Sequence, residues 1–572
     1  MISDTNETAY GQFHETANNK LSANERQVSL LIIGLLIFMN FTGLNITIME
    51  PDGALYAGIA KYMVQHHDYW NLFADGHDWL DKPHFPFWMM CLSYQVFGFT
   101  TAAYKLPAIL FLLAGAAYTY LFARRLYDEQ VARWAVCILL TAEHIVISNN
   151  DVRAEPYLTG LIIGGVYHLY RSQRSIFNYD VLLGALLTAF AIMTKGIFAL
   201  VPIGGAIAGH LVFTKQWKQL LHFRWLIAAI LIAVFITPEL YALYQQFDLH
   251  PEKVVFGKTG VSGIRFFFWD SQFGRFANTG PIKGSGDPTF FFHTALWAFL
   301  PWSVMLYAAV VVFFKNRWQA VEYYCISGAL LTFALFSLSR FQLPHYLNIV
   351  FPFFAILTAQ YVLGMKAVKF FRITQYTIMI IIAVAILGLG VLYQPILNYY
   401  ALFCMLLGLL LFLLLPRWLG NGTLVLVFFR TCAASLVLNI FLNLVLYPDM
   451  IRYQSGSTIA RHVNRYFPGV PVDFWKGQSY SLEFYLHTPL QRYDSAGLRQ
   501  AVAGGPVLLV MNPPEADTLQ RQGYNCQLVR EFVQFYVTKL DLEFVNNKTR
   551  GRAVGRRWLV LVMAGGQNGG LP

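Results

Sequence analysis

"MEPDGALYAGIAKYM" (residues 49–63) begins where the apolar run 28–48 ends, and it sets a carboxylate, Asp52, at the edge of that run. A helical run of about 20 apolar residues crosses the hydrocarbon core of a bilayer. The stretch after Asp52 is not a second span. Leu55, Ile59, Tyr62 and Met63 share one helical face, the pattern of a helix lying in the membrane interface. A span, an acid at its end and an interfacial helix together point to chemistry at the membrane surface.

The rest of the chain fits a membrane protein. Of 572 residues, 56% are hydrophobic and 13% charged, about half the charged share of a soluble protein. Apolar runs of spanning length lie at 28–48, 102–123, 132–149, 154–170, 178–194, 197–213, 225–244, 289–313, 321–338, 344–364, 373–393, 397–415 and 428–447. The expected architecture is a polytopic α-helical membrane protein of about 13 transmembrane helices. The run at 28–48 has no small-residue cleavage site after it, so it reads as a span rather than a removable signal.

Charge supports that division. With the N-terminal segment 1–27 inside, the inner loops hold most of the basic residues, including Arg124, Arg125, Arg133, Arg171, Arg174, Lys215, Lys315, Arg317, Lys366 and Arg417. This is the bias of the positive-inside rule, so the net charge of +11 is a matter of topology and no nucleic-acid partner is expected. The short outer loops keep three cations, Arg153, Lys195 and Arg340, which topology leaves unexplained. Cations at that edge suit a polar, anionic ligand.

Two outer loops, 49–101 and 245–288, are long enough to be functional, and both are expected to carry interfacial helices. The first holds Asp52, Tyr56 and "WLDKPHFPFW" (79–88), in which Pro83 and Pro86 stiffen the chain around Lys82. Asp52 is also a natural helix N-cap, and a loop lysine is most often simply solvated. "NNDVRAEPY" (149–157) places Asp151, Arg153 and Glu155 at one membrane edge. Arg275 lies in the second long loop, and "SLSRFQLPHYLNIVFP" (337–352) brings Arg340, His345 and Tyr346 to the start of a span. His345 reads more readily as a structural hydrogen-bonder than as a ligand. No cluster has metal-ligand spacing, the six cysteines form no C-x-x-C, and no nucleotide fingerprint is present. No metal and no cofactor are expected.

From residue 450 the pattern changes. "GSTIARHVNRYFP" and "PPEADTLQRQG" read as helices, and "VPVDFW", "GPVLLVMN" and "RRWLVLVM" as strands. Residues 450–572 are therefore expected to form an outer α/β domain with a disordered tail, and 28–449 the membrane domain.

The order of these motifs resembles a known family. Asp52 with Tyr56, Asp81-Lys82-Pro83, Lys195-Gly196, Arg275-Phe276, Pro301-Trp302 and Ser337-Leu338-Ser339 followed by Leu343-Pro344 and Tyr346 are similar to the bacterial GT-C glycosyltransferases. The branch in question holds the 4-amino-4-deoxy-L-arabinose transferases and the dolichyl-phosphate-mannose protein mannosyltransferases. The resemblance implies a GT-C fold with a periplasmic C-terminal α/β domain, in the bacterial inner membrane. It also implies transfer of a sugar from polyprenyl (undecaprenyl) phosphate, with inversion, to lipid A, another glycan or a protein. By position, it makes Asp52 and Asp151 the catalytic acids, and Lys82, Arg275, Tyr346 and Lys195 the donor-phosphate contacts. Tyr56, Arg153, Glu155, Arg340 and His345 would position substrate. Three departures bear on the sugar more than on the reaction. Gly53 stands where the family often has Glu, His84 where it has a second Pro, and Gln342 where it often has Lys, with Arg340 expected to compensate. A transporter or flippase of lipid-linked sugars is the alternative, disfavoured by the few charges within spans and the absence of paired interrupted helices.

Overall fold

The computed structural model describes residues 23–173, 179–316 and 320–564. The segment before Ala23, Arg174, Arg317 and the tail from Gly565 lie outside these residues. Every apolar run forms helix, but length and apolarity separate them. Among the described residues six helices are long and apolar enough to cross a membrane: Thr101–Leu126, Trp217–Asp248, Pro344–Gly364, Val368–Leu392, Tyr399–Leu419 and Leu424–Tyr453. A seventh is counted if Glu129–Thr141 and Glu143–Asn150, bent by 51°, are one broken span. That is fewer than the thirteen expected from apolar runs alone. The run 289–313, for example, is two helices, Phe290–Ala298 and Ser303–Lys315, interrupted around Pro301, which lacks the N–H a continuous helix needs.

The helices with the fewest exposed residues form the centre. Glu155–Ser172 is buried almost all round and packs on Thr101–Leu126 through glycines: a Cβ at Gly160 would fall 2.2 Å from the Phe111 carbonyl oxygen. This close approach fixes the height of Glu155 at the helix start. On the other side, Trp134 stacks on Phe428 at 3.8 Å, and Trp302 donates its indole N–H to Thr141.

The first long loop contains two helices, Asp52–His66 and Phe85–Phe97, as expected. Between them a short hairpin, β1 (Phe73–Ala74) and β2 (His77–Asp78), turns through Asp75 and Gly76, both at positive φ. The Gln246 side chain accepts from Leu72 N–H and donates to its carbonyl, mimicking a neighbouring strand. It also donates to Asp78, as does Lys253. The loop that carries Lys82 is thereby pinned to the second long loop. His84 is buried, with its ring between Glu239 and the Trp70 carbonyl, so the residue that departs from the family pattern is a crosslink.

The C-terminal region is an α/β unit with a four-stranded sheet ordered β3-β4-β6-β5: β3 Val472–Phe474, β4 Val507–Met511, β5 Asn525–Gln534 and β6 Gly555–Met563. β3 and β4 are parallel, and β6 runs antiparallel to both its neighbours. Three strands and the helices Ser455–Tyr466 and Pro513–Arg521 are those expected from the sequence. β5 was not expected: an edge strand with many exposed polar side chains lacks an apolar run to announce it.

This unit grips the segment around Asp52. Lys61 donates to the carbonyls of Glu483, Phe484 and Leu486 at 3.3, 2.8 and 2.9 Å. Burial, opposed by Glu483, draws its ammonium down to about 8. Glu50 accepts from Ser479 Oγ and Ser481 N–H, and Arg492 pairs with Asp75 in the hairpin turn. Lys61→Ala leaves three carbonyls without their donor, and each such loss costs about 1–3 kcal/mol. Faster proteolytic cleavage of the C-terminal unit, with the helical domain intact, is the expected result.

Candidate active site

Lys82, Lys195, Arg275 and Tyr346, on four segments far apart in sequence, line one cavity of about 70 Å³. Its other walls include Leu158, Ile162, Phe198, Phe276, Phe336, Phe341 and Ile349, so the cations sit against apolar walls. Asp81 lies between two of the cations. One of its oxygens takes Lys82 and the other takes Arg275. Burial alone would raise the Asp81 carboxyl, but Lys82 and Arg275 more than reverse this and hold it at about 2. Arg275 Nε is buried without a partner.

Lys195 ends the helix Tyr179–Lys195, pairs with Glu155, and places its ammonium 3.6 Å over the Tyr346 ring. The turn that aims it depends on Gly196, at φ +91, where a Cβ would fall 2.3 Å from Gln272 Nε2. That amide donates to the Lys195 carbonyl at 3.0 Å. Gly196→Ala meets both an unfavourable φ and the Gln272 side chain, a cost of about 1–3 kcal/mol from the backbone alone. A lower melting temperature in detergent, together with weaker binding of a lipid phosphate, is the expected outcome.

A second, larger cavity of about 350 Å³ adjoins the first. Asp151, Arg153, Glu155, His345, His144, Ser148 and Asn150 supply its polar wall, and Val537, Thr538 and Leu540 of the C-terminal unit close one side. The two share a boundary, because Glu155 in one pairs with Lys195 in the other, and His345 and Tyr346 are consecutive. His345 Nε2 is 3.9 Å from Glu155 Oε1, whose other oxygen is buried without a partner.

Asp52 opens its helix and lines neither cavity. Its carboxylate, 36% exposed, receives Arg153 Nη1 at 2.6 Å, while Arg153 Nη2 holds Asp151 at 2.9 Å. Burial pushes the Asp151 carboxyl up, against the pull of Arg153. Burial works against the Arg153 charge, but Asp151 and Asp52 outweigh it and keep the guanidinium protonated. A Cβ on Gly53 would lie 3.5 Å from Asp151 Oδ1, so the family's second acid would face a carboxylate already present.

The catalytic acid and donor-phosphate contacts implied by the resemblance, Asp52, Lys82, Arg275 and Tyr346, do not all line one hollow. The last three share one, and Asp52 reaches the neighbouring one through Arg153. Tyr56 is buried and lines neither cavity, its ring edge-on to Trp79 and Phe87, and its hydroxyl is held neutral by burial and by Asp81 and Asp52. Arg340, expected to compensate for the missing lysine, stands apart from the other cations. It is exposed and lines neither cavity, and its backbone holds Phe276 and Gly286. Gln342 ties Asp287 to the end of the helix Tyr324–Leu338, a structural role. Asp81, His144, Gln272 and the 537–540 segment were missed as site residues. Asp81 carried a signal, an acid directly before the candidate lysine; the other three depend on docking that no local pattern reveals.

A family model described as dolichyl-phosphate-mannose-protein mannosyltransferase matches residues 81–241. The crystal structure of ArnT from Cupriavidus metallidurans bound to undecaprenyl phosphate superposes with a TM-score of 0.69 at 19% identity, covering 93% of this chain and 97% of that one. The fold is that of ArnT. This chain is similar to GT-C membrane glycosyltransferases. An undecaprenyl phosphate-alpha-4-amino-4-deoxy-L-arabinose arabinosyl transferase of Pseudomonas aeruginosa (strain LESB58) is 29% identical over 328 residues, 56% of each chain. The chain thus matches about half the length of such curated relatives. An uncharacterized protein of Aquifex aeolicus (strain VF5) is 22% identical over 508 residues, 88% of this chain and 92% of its own.

Proposed function

We propose that this protein is a membrane glycosyltransferase that moves a sugar from a polyprenyl phosphate, undecaprenyl phosphate in a bacterium, to an envelope acceptor. Lipid A, another glycan or a protein serves as acceptor. The observation that carries this reading is the convergence of Lys82, Lys195 and Arg275 on the cationic end of one apolar-walled cavity. A phosphate on a long hydrocarbon needs both halves of that cavity. ArnT-like relatives named for an undecaprenyl-phosphate sugar donor support the same substrate class. The reading includes about thirteen membrane crossings, short ones among them, with the N-terminus cytoplasmic and residues 450–572 as a periplasmic domain, oriented by the positive-inside bias.

In the reaction an acceptor oxygen attacks the anomeric carbon, the bond from that carbon to the phosphate oxygen breaks, and its electron pair leaves with the polyprenyl phosphate. Lys82 and Arg275 receive the growing charge, in an environment where preplaced donors act strongly. Where the acceptor is a hydroxyl presented at the edge of the larger cavity beside Arg153, its proton passes to Asp52, whose partly exposed carboxylate Arg153 orients there. Where it is a phosphate, no proton moves and Asp52 only positions it. Asp151, held by the same guanidinium, and Glu155, paired with Lys195, shape the larger cavity, in which the acceptor meets the sugar. One displacement inverts the anomeric centre.

The test uses the purified protein in nanodiscs with a labelled polyprenyl-phosphate sugar. Free polyprenyl phosphate should appear one for one with sugar on the acceptor. A transporter would return the donor intact, and intact donor with lipid A, glycan and protein acceptors alike would refute the proposal.

A further inference from the structure

Asp81 sits where the lipid phosphate of the proposed reaction would sit, and neither the sequence motifs nor the proposed chemistry gives it work. Its two oxygens are shared between Lys82 and Arg275, one each, and it lines the same cavity as both. A phosphodiester likewise presents two charged non-bridging oxygens, so a carboxylate so placed is a small copy of the group the cavity is built to hold. The low position of its carboxyl, about 2, agrees with an anion already satisfied by these cations. The copy is also incomplete. Arg275 Nε remains buried with no partner, a donor that Asp81 does not reach and a larger anion would.

Resting on the reading of this cavity as the donor-phosphate site, we infer that Asp81 is a built-in stand-in for the donor phosphate, which must let go of Lys82 and Arg275 each time a lipid phosphate binds. The empty site needs such a group. Two cations beside apolar walls without a counter-anion are costly, and Asp81 offsets one of their two charges. The arrangement also sets affinity. If the pair of cations is free of Asp81 only a fraction of the time, the apparent dissociation constant rises by the inverse of that fraction. It acts again after the chemistry. The product phosphate monoester carries more charge than the diester donor and would cling to Lys82 and Arg275. Asp81 competes for both and speeds its exit. Asp81 is thus a positioning residue that acts through its neighbours.

The decisive measurement is binding of farnesyl phosphate, a short isoprenyl phosphate, to the full-length protein in detergent by calorimetry. Asp81→Asn keeps the shape but removes the competing charge, and affinity should rise about tenfold, as for a competent state populated about a tenth of the time. A residue that merely held the loop would weaken binding when replaced. Asp78→Asn is the control for background charge: its amide oxygen still accepts from Gln246 and Lys253, so the Lys82 loop stays pinned, and affinity should stay within about twofold. Unchanged or weaker binding in Asp81→Asn, or equal tightening in Asp78→Asn, overturns the inference. The wild-type protein gives a reading that needs no variant: in its structure with farnesyl phosphate bound, Lys82 and Arg275 should face phosphate oxygens and Asp81 should have left both. Asp81 still bridging them beside a bound phosphate would equally end it. Farnesyl phosphate binding to neither wild type nor variant would instead remove the donor-site reading beneath it.

Discussion

Arg275→Ala is expected to reduce sugar transfer by about 100-fold to 1,000-fold, the range seen when one preplaced charge-stabilising donor is removed. Arg275 stands at the cationic end of the smaller cavity, where its side chain is 13% exposed and therefore little screened. Its loss also strands Asp81 with one cation instead of two. The defect should divide unevenly between binding and rate. Donor binding falls modestly, because Lys82 and Lys195 remain, whereas the charge that grows on the departing phosphate loses a preplaced guanidinium. Arg275→Lys should recover only part of the rate, since an ammonium cannot reproduce the planar fork. Steady-state kinetics with varied donor separate the two parameters, and wild-type kcat in Arg275→Ala would remove this residue from the chemistry.

Asp52→Asn should lower transfer to a hydroxyl acceptor by at least about 100-fold, the usual contribution of a positioned base. The amide still has an oxygen for Arg153, so the helix start and the Arg153–Asp151 pair should survive and expression should be unaffected. The same variant discriminates between acceptor classes. With a phosphate acceptor there is no proton to remove, and the loss should be far smaller. Comparing the two acceptors in one preparation therefore reads the role of Asp52 directly. Equal activity of Asp52→Asn and wild type on a hydroxyl acceptor is the result that would discard it as base.

Much of this candidate site is legible in the sequence. Asp52, Lys82, Asp151, Arg153 and Glu155 stand out because charge is expensive at a membrane edge and is kept there for a reason. Arg340 stood out on the same ground and does not belong to either cavity, because position relative to a span says which leaflet a residue meets, not which way it faces. Asp81 was passed over as the flank of Lys82, since a sequence does not show that its second oxygen meets an arginine 194 residues away. Gly196 was visible as part of a lysine-glycine pair, but its reason, the Gln272 side chain pressed against it, was not.

The sequence by itself determined that this is a polytopic helical membrane protein, because hydropathy is summed residue by residue, and α/β alternation after residue 450 is equally local. The distribution of arginine and lysine along it also sets the expectation that the charged outer segments share one side. Only the tertiary structure decided the number of long spans, since Pro301 and the bend after Thr141 break runs that look continuous. It alone decided that the site is two adjoining cavities, with Glu155–Lys195 between them and the 537–540 segment closing one side. Pairings such as Asp81 with Arg275 and Asp52 with Arg153 are contacts between distant segments, and their geometry comes from how helices and the C-terminal unit pack, which no local pattern encodes.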